Sequence, residues 1–499
     1  MQANAKISAI IQRLRGCVPQ RALSLFLCAL ILQGCLLAGL ESVKTEPILT
    51  TSFVRPDDPQ EEIGAREHPL VLAKYGGEYT NRDAQNMLAV IVGRLVSVSD
   101  DPGRIYKVTV LDTPKVNAFA LPGGYLYLTR GLLALANDSS ELAAVIAHEM
   151  AHVTANHAII RQEKLTGNQV GEEVVNEVLG DTLAARVALA ANQLQIADFS
   201  REQELQADAI GIRMIGRAGY DPYGSARFLR TMQAYQNFKQ GSSAKLDENS
   251  FMSSHPTTPQ RIELAKRHAR FFGSPGVGEA DRERYLRGIN GLLYGDTADE
   301  GFVRGQSFSH SGLGITFSVP DEARIDNQPK AVIITGPGEA ATRFDAAVIG
   351  RWQSLKDYLK SGWINGLLPE TIGEGVSDNG LKFAYADALA EGWQFRIKII
   401  QTGTQVYRFI TAVPAGSEDP VEISEAITNS FRKLTETERA SLAPLRLKIV
   451  TVSPTDNIGT MASRMKVGNS GLRVFNLING LGPGATLEPG SKVKIVTDS

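Results

Sequence analysis

The sequence predicts a multidomain protein: a mainly helical (α+β) first unit, an α+β domain after it, and a small C-terminal module running strand, helix, helix, strand. Three observations carry this. At 499 residues the chain exceeds one typical domain. The stretch from about Ala65 to Arg270 reads as one unit rich in helices, whereas from Phe302 to Thr437 short strand-like runs alternate with helical stretches. A hydrophobic share of 43% beside 21% charged residues is that of folded globular protein. The formal charge of -2 offers no basic surface, so nucleic acid is not expected as a partner.

The first forty residues are read as a leader. Lys6, Arg13, Arg15 and Arg21 precede the apolar run from Ala22 to Leu40, the order of an export signal. Within it, Leu32 to Cys35 resembles a bacterial lipoprotein cleavage box with Cys35 as the lipidated residue, although Gln33 is an unusual occupant. The alternative is an uncleaved anchor, because the run approaches the ~20 apolar residues that span a bilayer. Either reading puts the body outside the cytoplasm and tethers it to the membrane. Cys17, Cys28 and Cys35 all lie in this leader, so the exported body is expected to hold no disulfide. A polar linker, residues 41–64, follows.

The chemistry concentrates in LAAVIAHEMAHVTANH, Leu142 to His157, which holds three of the chain's 7 histidines. Asp138 and Glu141 stand at capping-box spacing just before it and predict a helix start. On a helix, His148 and His152 share one face within reach of a single ion. Glu149 leans toward the same ion as a general base rather than a ligand. So short a pattern also occurs by chance on solvated helix faces. Here the flanks are apolar, so the imidazoles would be buried, and buried polar groups need partners.

A zinc site wants a third protein ligand. His157 lies nine residues after His148, where metzincins have ten, and Ala155 stands in place of their glycine turn. It is therefore read as a helix-end or packing histidine. In SREQELQADAIGIRMIGRAGYDP, Ser200 to Pro222, Glu204 can reach the ion while Asp208, four residues on, accepts an N–H from a ligand histidine. An acidic surface face paired with Arg201 and Arg213 is the alternative for these two.

Together, VNAFALPGGYLYLTRGLL (Val116 to Leu133), HEMAH, SREQELQAD and SSHPTTPQR (Ser253 to Arg261) resemble the successive signatures of the gluzincin-type zinc metalloproteases, the family of HtpX, the CAAX prenyl proteases and BepA, closest to the periplasmic BepA group. The likeness spans roughly Ala65 to Arg270, with the motifs in the family's order. It implies a zincin-type metalloprotease domain, set here at residues 65–290, with one zinc ion per chain. The ligands it implies are His148, His152 and Glu204, with Glu149 as general base and Asp208 as the acid behind a ligand histidine.

Two more stretches gain meaning from the resemblance. VNAFALPGGYLYL reads as two short strands around a Pro-Gly-Gly turn. In the family this is the edge of the active-site sheet, so Asn117, Ala118, Phe119 and Ala120 are expected to bind an extended substrate chain by strand addition. A structural hairpin is the alternative for Asn117. His255 falls in a Ser/Pro/Thr-rich loop after GSSAKLDENS and is expected to be mobile. In the resembling proteins this histidine approaches the zinc; here that would make it a fourth ligand and gate that displaces the catalytic water, giving a latent protease. An exposed loop histidine is the alternative. Arg261 is expected to stabilise the tetrahedral oxyanion.

Beyond Arg270 the likeness to the BepA group stops, since no 34-residue helical repeat is present. GITFSVP, AVIIT, FRIKIIQ and VYRFITAVP read as strands, interleaved with helices at SLKDYLKSGW and EISEAITNSFRKL. They predict an antiparallel α+β domain at residues 300–437, a docking domain of unknown ligand. Residues 445–499 resemble a LysM module in FNLINGL and LEPGSKVKIV, while TVSPTDNIGTMA departs from the usual start. Peptidoglycan attachment is expected of that module, with a structural cap as the alternative.

The functional expectation is a zinc-dependent endopeptidase on the periplasmic side of the bacterial envelope, acting on unfolded or misassembled outer-membrane or exported proteins. The alternative is a chaperone or wall-bound scaffold whose zinc is structural. A cytoplasm-facing membrane protease is disfavoured, because no apolar run of spanning length follows Leu40.

Overall fold

The computed structural model describes residues 59–160, 199–240 and 251–498, save positions 338, 351, 352, 365, 391 and 418. The chain divides into Met1–Phe53 and Val54–Ser499, and every described element belongs to the second unit. The leader with Cys35 lies outside the described residues. No helix among the described residues is long and apolar enough to cross a membrane.

The helix Ser139–Thr154 organises the first part. Asp138 caps it, its carboxylate accepting from Glu141 N at 2.8 Å. The Glu141 carboxylate accepts in turn from Asn137 N at 2.9 Å, one residue ahead of the cap. All positions from Ser139 to Val153 are buried, so the helix must be packed on every side. Small residues permit that. A Cβ on Gly211, in the helix Arg201–Arg217, would stand 3.1 Å from His148 N. One on Gly224, opening the helix Gly224–Gln240, would stand 2.6 Å from Ser140 O. The helix Arg82–Ser97 covers another side with a stripe of Ala84, Met87, Leu88, Ile91 and Leu95 at helical spacing.

A three-stranded sheet lies against this helical layer. Lys107–Leu111 pairs in parallel with Tyr125–Thr129, which pairs antiparallel with Ala118–Leu121. Among the described residues Ala118–Leu121 is therefore an edge strand. The turn before Tyr125 needs Gly124: its φ is +81°, and a Cβ there would meet Ile105 O at 2.3 Å.

Residues 302–433 build antiparallel sheets of seven and four strands. The four expected strand runs fall in Ile315–Ser318, Ala331–Thr335, Trp393–Thr402 and Gln405–Pro414. The expected helices are shorter than their sequence runs, at Leu355–Leu359 and Pro420–Thr428. The second stops because Phe431 turns into the core against Tyr407 and Phe409, after which Arg432 and Lys433 pair with Thr316 and Ile315.

The final segment runs strand Leu445–Thr451, helices Ile458–Ser463 and Gly471–Ile478, and strand Lys492–Thr497. It does not close a core of its own. Leu447, Met461, Phe475, Ile478 and Val496 share one apolar cluster with Leu132, Leu142 and Ile146. Leu445 pairs with Tyr294, and Lys494 Nζ donates to Ala134 O at 2.9 Å and Ala136 O at 2.6 Å. The segment read from sequence as a separate small domain thus completes the interior of the first.

Candidate metal centre

Two helices and one short turn bring the candidate ligands together. His148 and His152 project from the central helix, and Glu204 from the first turns of Arg201–Arg217, a helix started by a Ser200/Gln203 capping box. Glu204, Asp208 and Gly211 lie on one face at helical spacing, and Gly211 lets that face touch the central helix. His255 follows the helical turn Phe251–Ser254. One ligand atom from each of His148, His152, Glu204 and His255 lies within 4.8 Å of the others, and all four residues are buried.

The distances describe a convergent donor set. His148 Nε2 stands 3.0 Å from His152 Nε2 and 3.2 Å from His255 Nδ1. His152 Nε2 stands 3.3 Å from Glu204 Oε1, and His255 Nδ1 2.9 Å from the same oxygen. Behind the ligands, His148 Nδ1 is 3.0 Å from Asp208 Oδ1, so Asp208 takes that N–H and leaves the Nε2 lone pair facing the centre. Glu149 Oε1 stands 3.5 Å from His255 Nε2, and neither atom has a hydrogen-bond partner.

Charge argues the same way. Glu149, Glu204 and Asp208 are three buried carboxylates, and among the described residues Arg261 is the one guanidinium joined to them, through Asp208 and Glu204. Burial pushes the Glu149 carboxyl up, with His255 and His148 opposing it. For Glu204 burial pushes upward too, but His255 and His148 hold the carboxyl far below the usual range. Burial pushes His152 well down, which keeps its imidazole neutral and a good ligand. Imidazole nitrogens with a carboxylate suit zinc, and unpartnered buried acceptors beside excess negative charge are what a dication would satisfy. The residues fit the ion.

Several expectations change in detail. His255 does not sit in an exposed loop: it is 0% exposed, its N–H bonded to Phe251 O and its ring flanked by Phe199 and Phe251. Arg261, expected at the oxyanion, is turned to a bracing role. Its Nε and Nη2 donate to Asp208, each at 2.8 Å, and its Nη1 donates to Pro256 O and faces Glu204. Asn117 is fully buried, its N–H on Thr129 Oγ1 at 2.9 Å and its amide on Tyr75 Oη, which is the structural-hairpin alternative. Phe119 stacks on Tyr127 inside the sheet. Of the expected substrate strand, Ala118 and Phe119 are buried and Ala120 half-buried.

Residues that the sequence reading missed include Gly211 and the two phenylalanines around His255. The spacing of Glu204, Asp208 and Gly211 was the available signal for the first; nothing local singled out Phe199 or Phe251.

A buried helix carrying His-Glu-x-x-His, a glutamate from a second helix and an edge strand alongside define the domain of an HExxH metallopeptidase. Residues 81–269 match Peptidase family M48. It is 29% identical over 215 residues to the mitochondrial metalloendopeptidase OMA1 of Schizosaccharomyces pombe, covering 41% of this chain and 59% of that one. It is 28% identical over 273 residues to the β-barrel assembly-enhancing protease of Escherichia coli O157:H7, covering 50% and 54%. With OMA1 of Arabidopsis thaliana it shares 32% over 163 residues, covering 32% and 31%. The chain thus spans little more than half the length of the first relatives it matches.

Proposed function

We propose that this chain is a zinc-dependent endopeptidase of the bacterial envelope, held latent by His255. The observation that carries the reading is the meeting of His148, His152 and Glu204 in one buried centre with Glu149 beside it. Bound zinc would supply a Lewis acid that polarises a scissile carbonyl and brings the pKa of a water near ~7. His148, His152 and Glu204 would hold it. Glu149 takes the proton of the attacking water and delivers it to the departing amine. Asp208 fixes the His148 ring, and Arg261 fixes Asp208. The unpaired side of Ala118–Leu121 takes an extended substrate backbone, which suits unfolded rather than folded protein.

Unfolded or misassembled envelope proteins are the substrate class we infer, supported by the expected export leader and by likeness to a protease named for β-barrel assembly. The leader, whether lipidated at Cys35 or kept as an anchor, would be the membrane partner. For the C-terminal segment, the shared core supports a structural cap over peptidoglycan attachment.

A structural zinc site in a chaperone or scaffold is the second reading, favoured by one observation: His255 already stands as a fourth donor. Degradation of an unfolded outer-membrane protein separates the two, comparing wild type, His255→Ala and Glu149→Gln at matched zinc occupancy. The protease reading expects His255→Ala to be faster than wild type and Glu149→Gln to lose at least about 10²–10⁴-fold while keeping its zinc. Three inert proteins that each hold one zinc would replace it with the scaffold.

A further inference from the structure

The two histidines of the motif are held from behind by different groups. His148 gives its Nδ1–H to the carboxylate of Asp208. Among the described residues His152 has no carboxylate at Nδ1; it faces His157 Nδ1 at 3.0 Å. The rings meet edge-on, with centroids 4.9 Å apart at 75°, and His157 is 2% exposed. Two facing imidazole nitrogens at that separation share a single proton, and which ring owns it decides what His152 offers on its other side.

His157 Nε2 supplies the answer. It lies 3.3 Å from Gln206 Oε1, an acceptor, so that nitrogen carries the hydrogen and His157 Nδ1 is left as a lone pair. His152 must then donate from Nδ1, and its Nε2 lone pair is turned toward His148 Nε2 and Glu204 Oε1. The backbone explains how a residue one short of the metzincin spacing reaches this place. The central helix ends at Thr154 with Ala155 as its C-cap, and Asn156 adopts φ +54°, a left-handed turn that folds His157 back beside His152. The Asn156 carboxamide is held by Gln60 Nε2 at 3.1 Å, and Gln203 Nε2 donates to His157 O at 3.3 Å. Gln203 and Gln206 stand on the same helix as Glu204, so one helix supplies both a ligand and the lock on another ligand's ring.

We propose that His157 is a positioning residue for the metal centre: with Gln206 it fixes the tautomer and orientation of His152, as Asp208 does for His148. This rests on the zinc-site reading above. A neutral partner in place of a carboxylate makes His152 the less basic of the two ligands, and adds no further negative charge to the site.

The test is zinc affinity, measured on the purified full-length chain by competition with a chromophoric chelator, for wild type, His157→Asn, His157→Leu and Gln206→Leu. Asn keeps an acceptor near the Nδ1 position, whereas Leu keeps volume alone. The expected result is a loss of about 10–100-fold in His157→Leu, recovery to within about 3-fold of wild type in His157→Asn, and a smaller loss in Gln206→Leu. Apo-form melting temperatures should stay together, since the role is toward the metal. Wild-type affinity in His157→Leu, or equal losses in Asn and Leu, would overturn the proposal. Should His157→Leu fail to fold, Gln206→Leu at the solvent edge decides alone, and unchanged affinity there removes the lock. A wild type that takes up no zinc at all would instead sink the metal-centre reading.

Discussion

The helix Ser139–Thr154 buries ionisable groups at both ends, and the two ends treat them differently. At its start, Asp138 accepts from Ser140 Oγ at 2.6 Å and Glu141 N at 2.8 Å, and pairs with Arg227 at 3.1 Å. Arg227 also holds Asp221 at 2.6 Å, and Lys494 donates into the carbonyls that end the preceding helix. Carboxylates at a helix N-terminus and a lysine donating to the carbonyls of a helix C-terminus complement both dipoles. Near its end, by contrast, Glu149 Oε1 and His255 Nε2 are buried without hydrogen-bond partners among the described residues. Buried charge therefore does not distinguish the two. What does is whether acceptors are used up by the fold or left pointing at one another, and only the second arrangement leaves room for a ligand.

The comparison is broken most severely at Lys494. Replacing it by Met leaves the carbonyls of Ala134 and Ala136 buried without their donor. The expected loss is about 2–4 kcal/mol in chemical denaturation, with zinc affinity of the folded protein unchanged. A variant as stable as wild type would show that the C-terminal segment merely rests on the first part. A loss of zinc without a loss of stability would mean that the two ends of the helix are coupled rather than independent.

How much of this was legible in the sequence depends on the range over which each interaction acts. The His148/His152 pair, the cap at Asp138 and the strand runs are local patterns, and the structure places each where its spacing points. Glu204 was legible because Asp208 repeats the four-residue spacing on a second helix. The shared core of the C-terminal segment was not, because apolar faces in Leu445–Thr451 and Gly471–Ile478 look the same whether they meet each other or a distant helix. Nor was the burial of His255, whose Ser/Pro/Thr-rich surroundings read as an exposed loop while two aromatic rings from elsewhere enclose it.

Gly211 is a smaller test of the metal end. An alanine there would set its Cβ 3.1 Å from His148 N and 3.3 Å from Ala147 C, both backbone, so the helices must part by a few tenths of an ångström. About 1–3 kcal/mol of overpacking is expected, partly offset by alanine's better helix propensity of ~1 kcal/mol. The sharper readout is zinc affinity, which should weaken because Glu204 rides on the displaced helix. Wild-type affinity in Gly211→Ala would mean that the close approach does not set the ligand geometry.

The smallest effect concerns a third cluster, which shows that a shifted pKa alone does not mark chemistry. Burial and then the neighbouring Asp112 push the Glu300 carboxyl up to about 7, against the pull of Arg130, yet among the described residues it joins no cluster of three candidate ligand groups. Its folded pKa lies above the unfolded value of ~4.3, so the fold prefers the protonated form. That preference contributes fully below the unfolded pKa and is lost as pH rises toward 7. Because the side chain is partly exposed, the loss is discounted to about 1 kcal/mol. Glu300→Gln mimics the protonated carboxyl, so zinc-free variant and wild type should unfold alike at pH 4, with the variant about 1 kcal/mol more stable at pH 8. If the variant keeps the wild-type fall in stability between those two pH values, Glu300 is not its source. Zinc affinity should not move at either pH, since nothing in this cluster reaches the centre.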